Sequence, residues 1–276
     1  MFRWLVAAVL LAAAVPARAD AADPLRQYAP VVVHASDEPS PLTSVKAFAG
    51  RVPGVEPGPV RPTVYGRRTG PWLQYWLFFA ENLQDRGILR TGRHEGDWEM
   101  VQYKLRDGRP VRAVYAQHAR AESCGYGHVR RSRGRPVVFL ARGSHAAYFV
   151  PGLRDRMWPD PNDEADGRGP RVRPRLVRVS EDRPPWMAYD GRWGGTRAGW
   201  VPGEMDSPRG PAFQPDRWDA AGWAAAARPC TGEDCDERGE CDGRETAIAA
   251  VLALLGLLVA GVYAGRRLRR AEAAAA

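Results

Sequence analysis

The chain has 276 residues, of which 45% are hydrophobic, and a formal net charge of +8. This length allows one sizeable core with appended segments, and the 24 Pro and 29 Gly favour short elements joined by turns, which suits an all-β fold better than a helical bundle. The positive charge could suit nucleic acid or anionic lipid, but the arginines are scattered and no nucleic-acid-binding motif is present. We therefore expect no nucleic-acid partner.

Residues 1–19 form a predicted export signal. They combine a charged start at Arg3, an apolar run and the sequence Ala17-Arg18-Ala19, which is the pattern of a cleaved secretory signal peptide. An uncleaved anchor is the alternative, but the apolar run is short for a bilayer span. We therefore expect an exported domain that covers residues 20–228.

Short segments rich in β-branched and aromatic residues indicate the strands of this domain. A first strand at residues 28–34 ends at His34, which we interpret as a polar residue at a strand end. The aromatic run at residues 72–79 predicts a strand buried on both faces, although a sugar-stacking or membrane-inserting role is open. Residues 112–118 and 135–142 predict two further core strands.

Residues 92–99 read Gly-Arg-His-Glu-Gly-Asp-Trp-Glu and lead into an apolar strand. Because strand side chains alternate, Asp97 and Glu99 fall on one face, and Gly96 allows a tight backbone that could turn His94 toward them. Two carboxylates and one imidazole favour magnesium, calcium or manganese over a structural zinc. The alternative is a polar turn that enters an edge strand, where charges discourage pairing with another chain.

His118 and His145 stand where the predicted strands 112–118 and 135–142 end in turns. A polar residue at a strand exit is held by a rigid frame, so both could join His94 in one pocket as catalytic residues. Each could instead be a structural, hydrogen-bonded histidine. Ser144 lacks the surroundings of a nucleophile elbow, and we expect it to cap a turn.

The second half of the domain is predicted to be rich in loops. Residues 155–174 are charged and contain many Pro and Gly, so we expect a surface loop whose acids are solvated rather than calcium ligands: Asp160, Asp163, Glu164 and Asp166. Five tryptophans follow, which we expect to pin a wrap of loops onto the core: Trp186, Trp193, Trp200, Trp218 and Trp223.

Residues 229–276 predict a stalk, a membrane span and a tail. The acidic stalk 229–245 contains three of the four cysteines; in an exported chain these predict disulfides with open pairing, and their spacing is wider than a zinc knuckle uses. The apolar stretch 246–265 is long enough to span a bilayer, and the basic tail 266–276 should stay in the cytoplasm. We expect a single-pass cell-membrane protein with an extracellular N-terminal domain, unless the C-terminal segment is a sorting signal that is processed.

The motif at His94-Glu95-Gly96-Asp97-Trp98-Glu99 resembles the heptapeptide Gly-His-Arg-His-Asp-Trp-Glu of the necrosis-inducing, NPP1-like secreted proteins. Its longer form continues into Met100 and Val101 and is followed by residues 115–118 and 141–149. In this form the sequence is similar to the Vps62-related family, and the similarity extends from about Pro71 to Trp218.

The NPP1-like resemblance implies a compact β-sandwich with a divalent cation held by the histidine, aspartate and glutamate of the heptapeptide, here His94, Asp97 and Glu99. It also implies one upstream ligand, which does not transfer directly; the candidates are Glu81, Asn82 and Asp85. The second histidine of the heptapeptide is replaced by Glu95-Gly96, a departure that speaks against the plant-membrane toxin activity of that family.

The function that these features predict is binding at the cell surface. A divalent cation with open coordination positions would take an oxygen-rich ligand, either an anionic lipid headgroup or an envelope glycan, with arginines around it. A metal-dependent phosphoester hydrolase is the first alternative, with His118 or His145 as general acid or base and Glu95 as another possible base. A structural surface protein without ligand chemistry is the second.

Overall fold

The computed structural model describes residues 23–84, 93–156, 160–195 and 206–230, and within them the chain is mostly β. The α-helices are short: α1 (Pro24–Gln27), α2 (Pro215–Trp218) and α3 (Ala220–Ala226). The strands are β1 (Val31–Val33), β2 (Thr63–Thr69), β3 (Trp72–Asn82), β4 (His94–Arg106), β5 (Arg109–Gln117), β6 (Arg120–Gly125), β7 (Arg131–Ser132), β8 (Arg135–Leu140), β9 (Ala147–Tyr148), β10 (Gly152–Arg154), β11 (Asp163–Ala165), β12 (Arg171–Val172), β13 (Arg175–Arg178) and β14 (Arg228–Pro229). Short 3₁₀ helices lie at Val45–Phe48, Tyr126–His128, Pro185–Ala188 and Pro211–Phe213.

The larger sheet has seven strands in the order β13-β2-β3-β4-β5-β6-β14, with β4 at its centre. Strands β2 to β6 form an antiparallel meander, in which two-residue turns join β2 to β3, β4 to β5 and β5 to β6. The β3–β4 pairing is long and regular, with Trp72 opposite Lys104 and Asn82 opposite His94. This register fixes which residues of the central strand lie beside β3.

A smaller sheet packs against one face of the larger one. Its order is β12-β1-β8-β7, and β9 also pairs with β8. The two sheets share one apolar core, to which β3 and β4 contribute alternate residues such as Tyr75 and Tyr103, and the smaller sheet contributes Val32, Val138 and Leu140. Two packed, open sheets with a common core are consistent with the predicted β-sandwich.

The opposite face of the larger sheet is covered by short helices and loops. Trp76, Phe78 and Trp98 project from β3 and β4 into a second apolar cluster, where α3 and the segments around Trp186 and Trp193 pack on them. The expectation that tryptophans fix a loop-rich wrap to the sheet is confirmed for the described ones. The strand at 72–79 is indeed buried on both faces, because its odd residues face one cluster and its even residues the other.

Several expectations concern residues outside the described ranges. These are the signal peptide at 1–19, the apolar stretch 246–265, the tail 266–276, most of the stalk, Asp85 and Trp200. Of the helices in the described part of the chain, none has the length and apolar character that a bilayer crossing needs.

One disulfide joins the start of the stalk to the domain. Cys124 on β6 bonds Cys230, directly after β14, with 5.2 Å between the two Cα atoms. The bond links residues 106 positions apart, and β14 pairs beside β6 at the same place. The predicted use of cysteine in disulfides is confirmed for this pair.

Gly96 sets the conformation of the chain where the motif enters β4. Its φ of +60° lies in the left-handed region, and a Cβ at this position would stand 2.0 Å from the carbonyl oxygen of Trp193. The wrap therefore lies directly on the motif backbone, and only glycine allows both the turn and the contact.

We expect Gly96→Ala to destabilise the fold much more than Gly108→Ala. Gly108, in the β4–β5 turn, also has a positive φ of +73°, but a Cβ there would meet nothing within 4 Å. Gly108→Ala should cost about 1 kcal/mol for the left-handed backbone alone, and Gly96→Ala at least about 2 kcal/mol more because the wrap must move. Urea unfolding followed by tryptophan fluorescence measures both, and equal losses would contradict the close packing at Trp193.

Candidate functional site

Polar side chains meet where both sheets end on the same side of the domain. Strands β1 and β8 are parallel neighbours, so their carboxyl ends lie at one edge of the smaller sheet. His145 follows β8 and reaches Asp97 on β4, and Glu38, which follows β1, reaches the other side of the His145 ring. Asp97 and Glu99 share that face with Val101 and Tyr103, as the period of two predicts.

His145 bridges the two sheets as a doubly bonded imidazole. Its Nδ1 lies 2.8 Å from Asp97 Oδ2, and its Nε2 lies 2.9 Å from the Ser40 carbonyl oxygen and 3.3 Å from Glu38 Oε1. Because every one of these partners is an acceptor, both ring nitrogens must donate, which makes the ring an imidazolium. The fully buried ring also stacks on Phe79 with 3.7 Å between ring centroids.

The electrostatics of this cluster agree with that geometry. Burial alone would lower the pKa of His145, but hydrogen bonds to Asp97 and Glu38 outweigh it and raise the pKa to about 9. Burial would raise the pKa of both carboxyls, yet the hydrogen bonds from His145 hold the pKa of Asp97 and of Glu38 below its ordinary value. Two carboxylates thus share one buried positive charge.

Glu99 differs from the other acids of the site because one of its buried oxygens, Oε2, lacks a hydrogen-bond partner among the described residues. Arg217 Nη1 stands 3.8 Å from that oxygen, which is too far for a hydrogen bond, and instead donates to the Trp98 carbonyl oxygen at 2.6 Å. Burial raises the pKa of Glu99 well above its usual value, and Arg217 opposes this only in part.

A second carboxylate cluster lies next to Glu99. Asp163 on β11 is almost fully buried and accepts hydrogen bonds from His118 Nε2 at 2.6 Å, Ser144 Oγ at 2.6 Å and Tyr148 Oη at 2.7 Å. Burial would raise the pKa of Asp163, but these bonds, the one from His118 first, keep the pKa below its ordinary value. His118 is 24% exposed, so it connects the buried carboxylate to solvent.

His94 and Asn82 lie side by side at the end of the β3–β4 pair. His94 Nδ1 lies 3.2 Å from the Gly96 carbonyl oxygen, which can only accept, so in the neutral ring Nδ1 would carry the hydrogen and Nε2 the lone pair. Asn82 Nδ2 lies 3.4 Å from Asp97 Oδ2, and its Oδ1 already accepts from the Gln84 backbone amide at 3.0 Å. The tautomer of His94 is the one that a metal-binding histidine adopts when a carbonyl orients it.

The chain is similar to the vacuolar protein sorting-associated protein 62 of Saccharomyces cerevisiae, with 26% identity over 191 residues. The match covers 52% of this chain and 41% of the yeast protein, so the chain spans less than half the length of that relative. No family model matches the chain.

The solved structures that resemble the chain include two proteins of the necrosis-inducing type. One is necrosis and ethylene inducing protein 2 from the causal agent of cocoa's witches' broom disease, with a TM-score of 0.35 and 14% identity over 66% of this chain and 80% of that chain. The other is NLPPya in complex with glucosamine, with a TM-score of 0.34 and 12% identity over 58% of this chain and 76% of that chain. The similarities to Vps62-related and NPP1-like proteins that the motifs indicate are thus confirmed, but at these identities and TM-scores they assign no activity.

The sequence-predicted site residues lie in two clusters and at the end of the β3–β4 pair, where His94 is opposite Asn82. Asp97, Glu99 and His145 lie together around the buried end of β4, while His118 belongs to the neighbouring Asp163 cluster. Within the part of the chain that is described, no group of three or more His, Cys, Asp or Glu side chains is arranged to hold a metal ion. The cation site at His94, Asp97 and Glu99 therefore stays a prediction, as do Asn82 and Asp85 as further ligands.

Two acids at the site, Asp163 and Glu38, were not predicted from the sequence. The interpretation of Asp163 as a solvated loop residue was wrong, because residues 163–165 form β11 and Asp163 is only 2% exposed. Glu38 was included in a turn and given no role. A signal existed for Glu38: it and His145 each follow one of two apolar strands that a parallel sheet would place side by side.

His34 and Glu95 take no direct part in either cluster. His34 is buried, neither ring nitrogen has a hydrogen-bond partner among the described residues, and burial lowers its pKa to about 4, so the ring is neutral. Glu95 faces the wrap, where Oε2 accepts from Arg51 at 2.6 Å and from the Gly195 amide at 3.1 Å. The alternative role of Glu95 as a base therefore has no support from its position.

We expect part of the stability of the chain to vanish as the pH rises through 9. The pKa of His145 is about 9 in the folded state and about 6.5 in the unfolded state. The protonated ring therefore contributes its full stabilisation below pH 6.5, and this contribution is lost as the pH rises through 9. The loss should be about 3 kcal/mol, measured by urea unfolding between pH 6 and 10 in the presence of a chelator. An NMR titration should show one imidazole with a midpoint near 9 that is missing in His145→Gln and retained in the control His128→Gln; a wild-type midpoint below 7 would contradict the imidazolium assignment.

Proposed function

We propose that the chain is a single-pass cell-surface protein whose β-sandwich binds an anionic or glycosylated ligand through a divalent cation at Asp97 and Glu99. The observation that supports this most is the buried Glu99 Oε2 without a hydrogen-bond partner among the described residues. Burying a carboxyl oxygen without a partner is costly, and a bound cation would remove that cost. Glu99 also lies on the same face as Asp97, two residues away on a rigid central strand.

The residues present suit a hard divalent cation such as calcium, magnesium or manganese. Asp97 and Glu99 would supply carboxylate oxygens, and His94 would supply Nε2 because its Nδ1 is already committed to the Gly96 carbonyl oxygen. His145 would act behind the ligands, since it orients Asp97 from the smaller sheet. Arg217 would remain next to Glu99 and keep the local charge balanced.

The ligand class follows from this chemistry. A divalent cation offers coordination positions to oxygen-rich groups, such as the hydroxyls of a glycan or the phosphate of a lipid headgroup. Arg217 lies beside Glu99 and the partly exposed His118 lies beside Asp163, and both could add hydrogen bonds to an anionic group. The predicted export signal and membrane span would place the site outside the cell, where such ligands occur.

We expect the purified chain to bind one divalent cation and to lose it when either carboxylate is neutralised. Asp97→Asn and Glu99→Gln should each weaken binding at least about tenfold, measured by isothermal titration calorimetry and by elemental mass spectrometry. The matched control is Asp107→Asn, an exposed acid in the β4–β5 turn at the other end of β4.

Thermal stability, measured with and without metal, provides a second test of the Glu99→Gln variant. Without metal, Glu99→Gln should be at least as stable as the wild type, because it removes a buried carboxyl that lacks a partner. Added calcium or manganese should raise the melting temperature of the wild type and not that of Glu99→Gln. No bound cation in any condition would exclude this function and leave the structural-protein alternative.

A metal-dependent phosphoester hydrolase is the second candidate, and the His118–Asp163 pair is the observation in its favour. The 2.6 Å hydrogen bond to Asp163 orients a partly exposed imidazole, as a general acid or base requires, and the charge of Asp163 also acts on Glu99. Arg217 Nη2 also donates to the carbonyl oxygen of His118, which fixes this residue in its left-handed conformation with a φ of +57°.

This candidate predicts turnover of p-nitrophenyl phosphate in the presence of magnesium or manganese. His118→Asn should then lower kcat by roughly 100-fold or more with little change in KM, and the exposed His128→Asn should have no effect. Metal binding without turnover would favour the ligand-binding function instead.

A further inference from the structure

The end of the domain opposite Asp97 gathers basic side chains around one short segment. Tyr28 Oη donates to the Gly108 carbonyl oxygen in the β4–β5 turn at 3.4 Å, and Arg135 Nη1 at the start of β8 donates to the Ala29 carbonyl oxygen at 3.1 Å. Tyr28 and Ala29 thus hold the β4–β5 turn of the larger sheet and the β7–β8 hairpin of the smaller sheet on one side of the molecule. We call this side the basic end.

The basic end is exposed and strongly cationic. Its exposed side chains are Arg26, Lys104, Arg106, Arg109, Arg112, Arg131, Arg133 and Arg173. Within the described ranges none of them forms a salt bridge, and Asp107 is the acid that shares the β4–β5 turn with them. The charges also crowd one another: burial first, and then the neighbouring Arg173 and Arg26, lower the pKa of Arg135.

The described chain leaves the domain at the same end. Strand β14 runs parallel to β6 and is followed at once by Cys230, which is bonded to Cys124 on β6. Cys124 precedes Gly125, and Gly125 lies opposite Arg112 of the basic end. The next residues of the sequence are the acidic stretch 231–245 and the apolar stretch 246–265. Fifteen residues reach at most about 50 Å, so an anchor at 246–265 would keep the basic end near a bilayer.

We propose that the basic end binds the surface of an anionic lipid bilayer and holds the domain upright on its own membrane. Arginines and lysines close to an anionic leaflet gain favourable electrostatic energy that fades within a Debye length. The proposal rests on the membrane anchor of the proposed function, but it does not use the cation site. Binding at the basic end must therefore survive removal of divalent cations.

This orientation would also decide which way the cation site faces relative to the bilayer. Strand β4 runs from His94 to Arg106, and its thirteen residues span roughly 40 Å at about 3.3 Å per residue. With the basic end on the bilayer, Asp97 and Glu99 face away from it. The site is then presented to a ligand in the surrounding envelope, not to a lipid of the same membrane.

Amide hydrogen exchange of the full chain in lipid nanodiscs tests this inference. Peptides that cover residues 104–112 and 130–136 should exchange at least about threefold more slowly in nanodiscs with phosphatidylglycerol than with phosphatidylcholine alone, and lose this protection in about 1 M salt. EDTA and Asp97→Asn should leave the protection unchanged, so failure of the cation site and failure of the basic end are distinguishable.

The variant Arg106→Gln, Arg109→Gln, Arg133→Gln should abolish the lipid-dependent protection. The matched control removes three exposed arginines at the other end of the strands, Arg61→Gln, Arg120→Gln, Arg142→Gln, and should retain it. Melting temperatures of both variants that equal that of the wild type will show that neither loses its fold.

Three results would overturn the proposal. Exchange that is the same in both lipids, or protection that persists in the Arg106, Arg109 and Arg133 variant, would mean that these charges do not contact lipid. Protection that is equal in both lipids and in detergent, and that disappears when Glu233, Asp234, Asp236 and Glu237 are changed to Gln or Asn, would mean that the acidic stretch covers the basic end instead.

Discussion

The fold of this domain depends on a buried positive charge shared between its two sheets. The imidazolium of His145 extends from the smaller sheet to Asp97 on the central strand of the larger one, while Glu38 and Ser40 hold its other nitrogen. A buried charge is tolerable only when it is paired and fully hydrogen-bonded, so all these segments must be in place together. The same requirement fixes the relative position of the two sheets at this end.

Glu99 breaks this pattern two residues further along β4. Every other buried acid of the two clusters has its hydrogen bonds satisfied, but one oxygen of Glu99 has no partner among the described residues. The surrounding frame is rigid, with a regular β3–β4 ladder on one side and Arg217 on the other. An unsatisfied group in so ordered a setting is more typical of a ligand site than of a structural core.

The two ends of β4 carry different side chains, so the two ends of the domain differ in charge. Acids, amides and histidines gather near His94, whereas exposed arginines gather near Arg106. The strand between them is buried on both faces, by the smaller sheet on one side and the tryptophan wrap on the other. In the proposed orientation, this rigid body would keep the end that faces the membrane and the end that faces the ligand a fixed distance apart.

The sequence by itself determined the local elements and half of the site. Period-two alternation placed Asp97 and Glu99 on one face, the aromatic run predicted a strand buried on both sides, and the strand exits marked His118 and His145. Only the tertiary structure decided which groups meet, because the pairing of β1 with β8 and the position of β11 are contacts between distant parts of the chain. Local pattern could therefore not reveal that Asp163 is buried beneath His118, or that Glu38 reaches His145. Burial and pairing, which set the pKa of each of these groups, arise only when those segments pack.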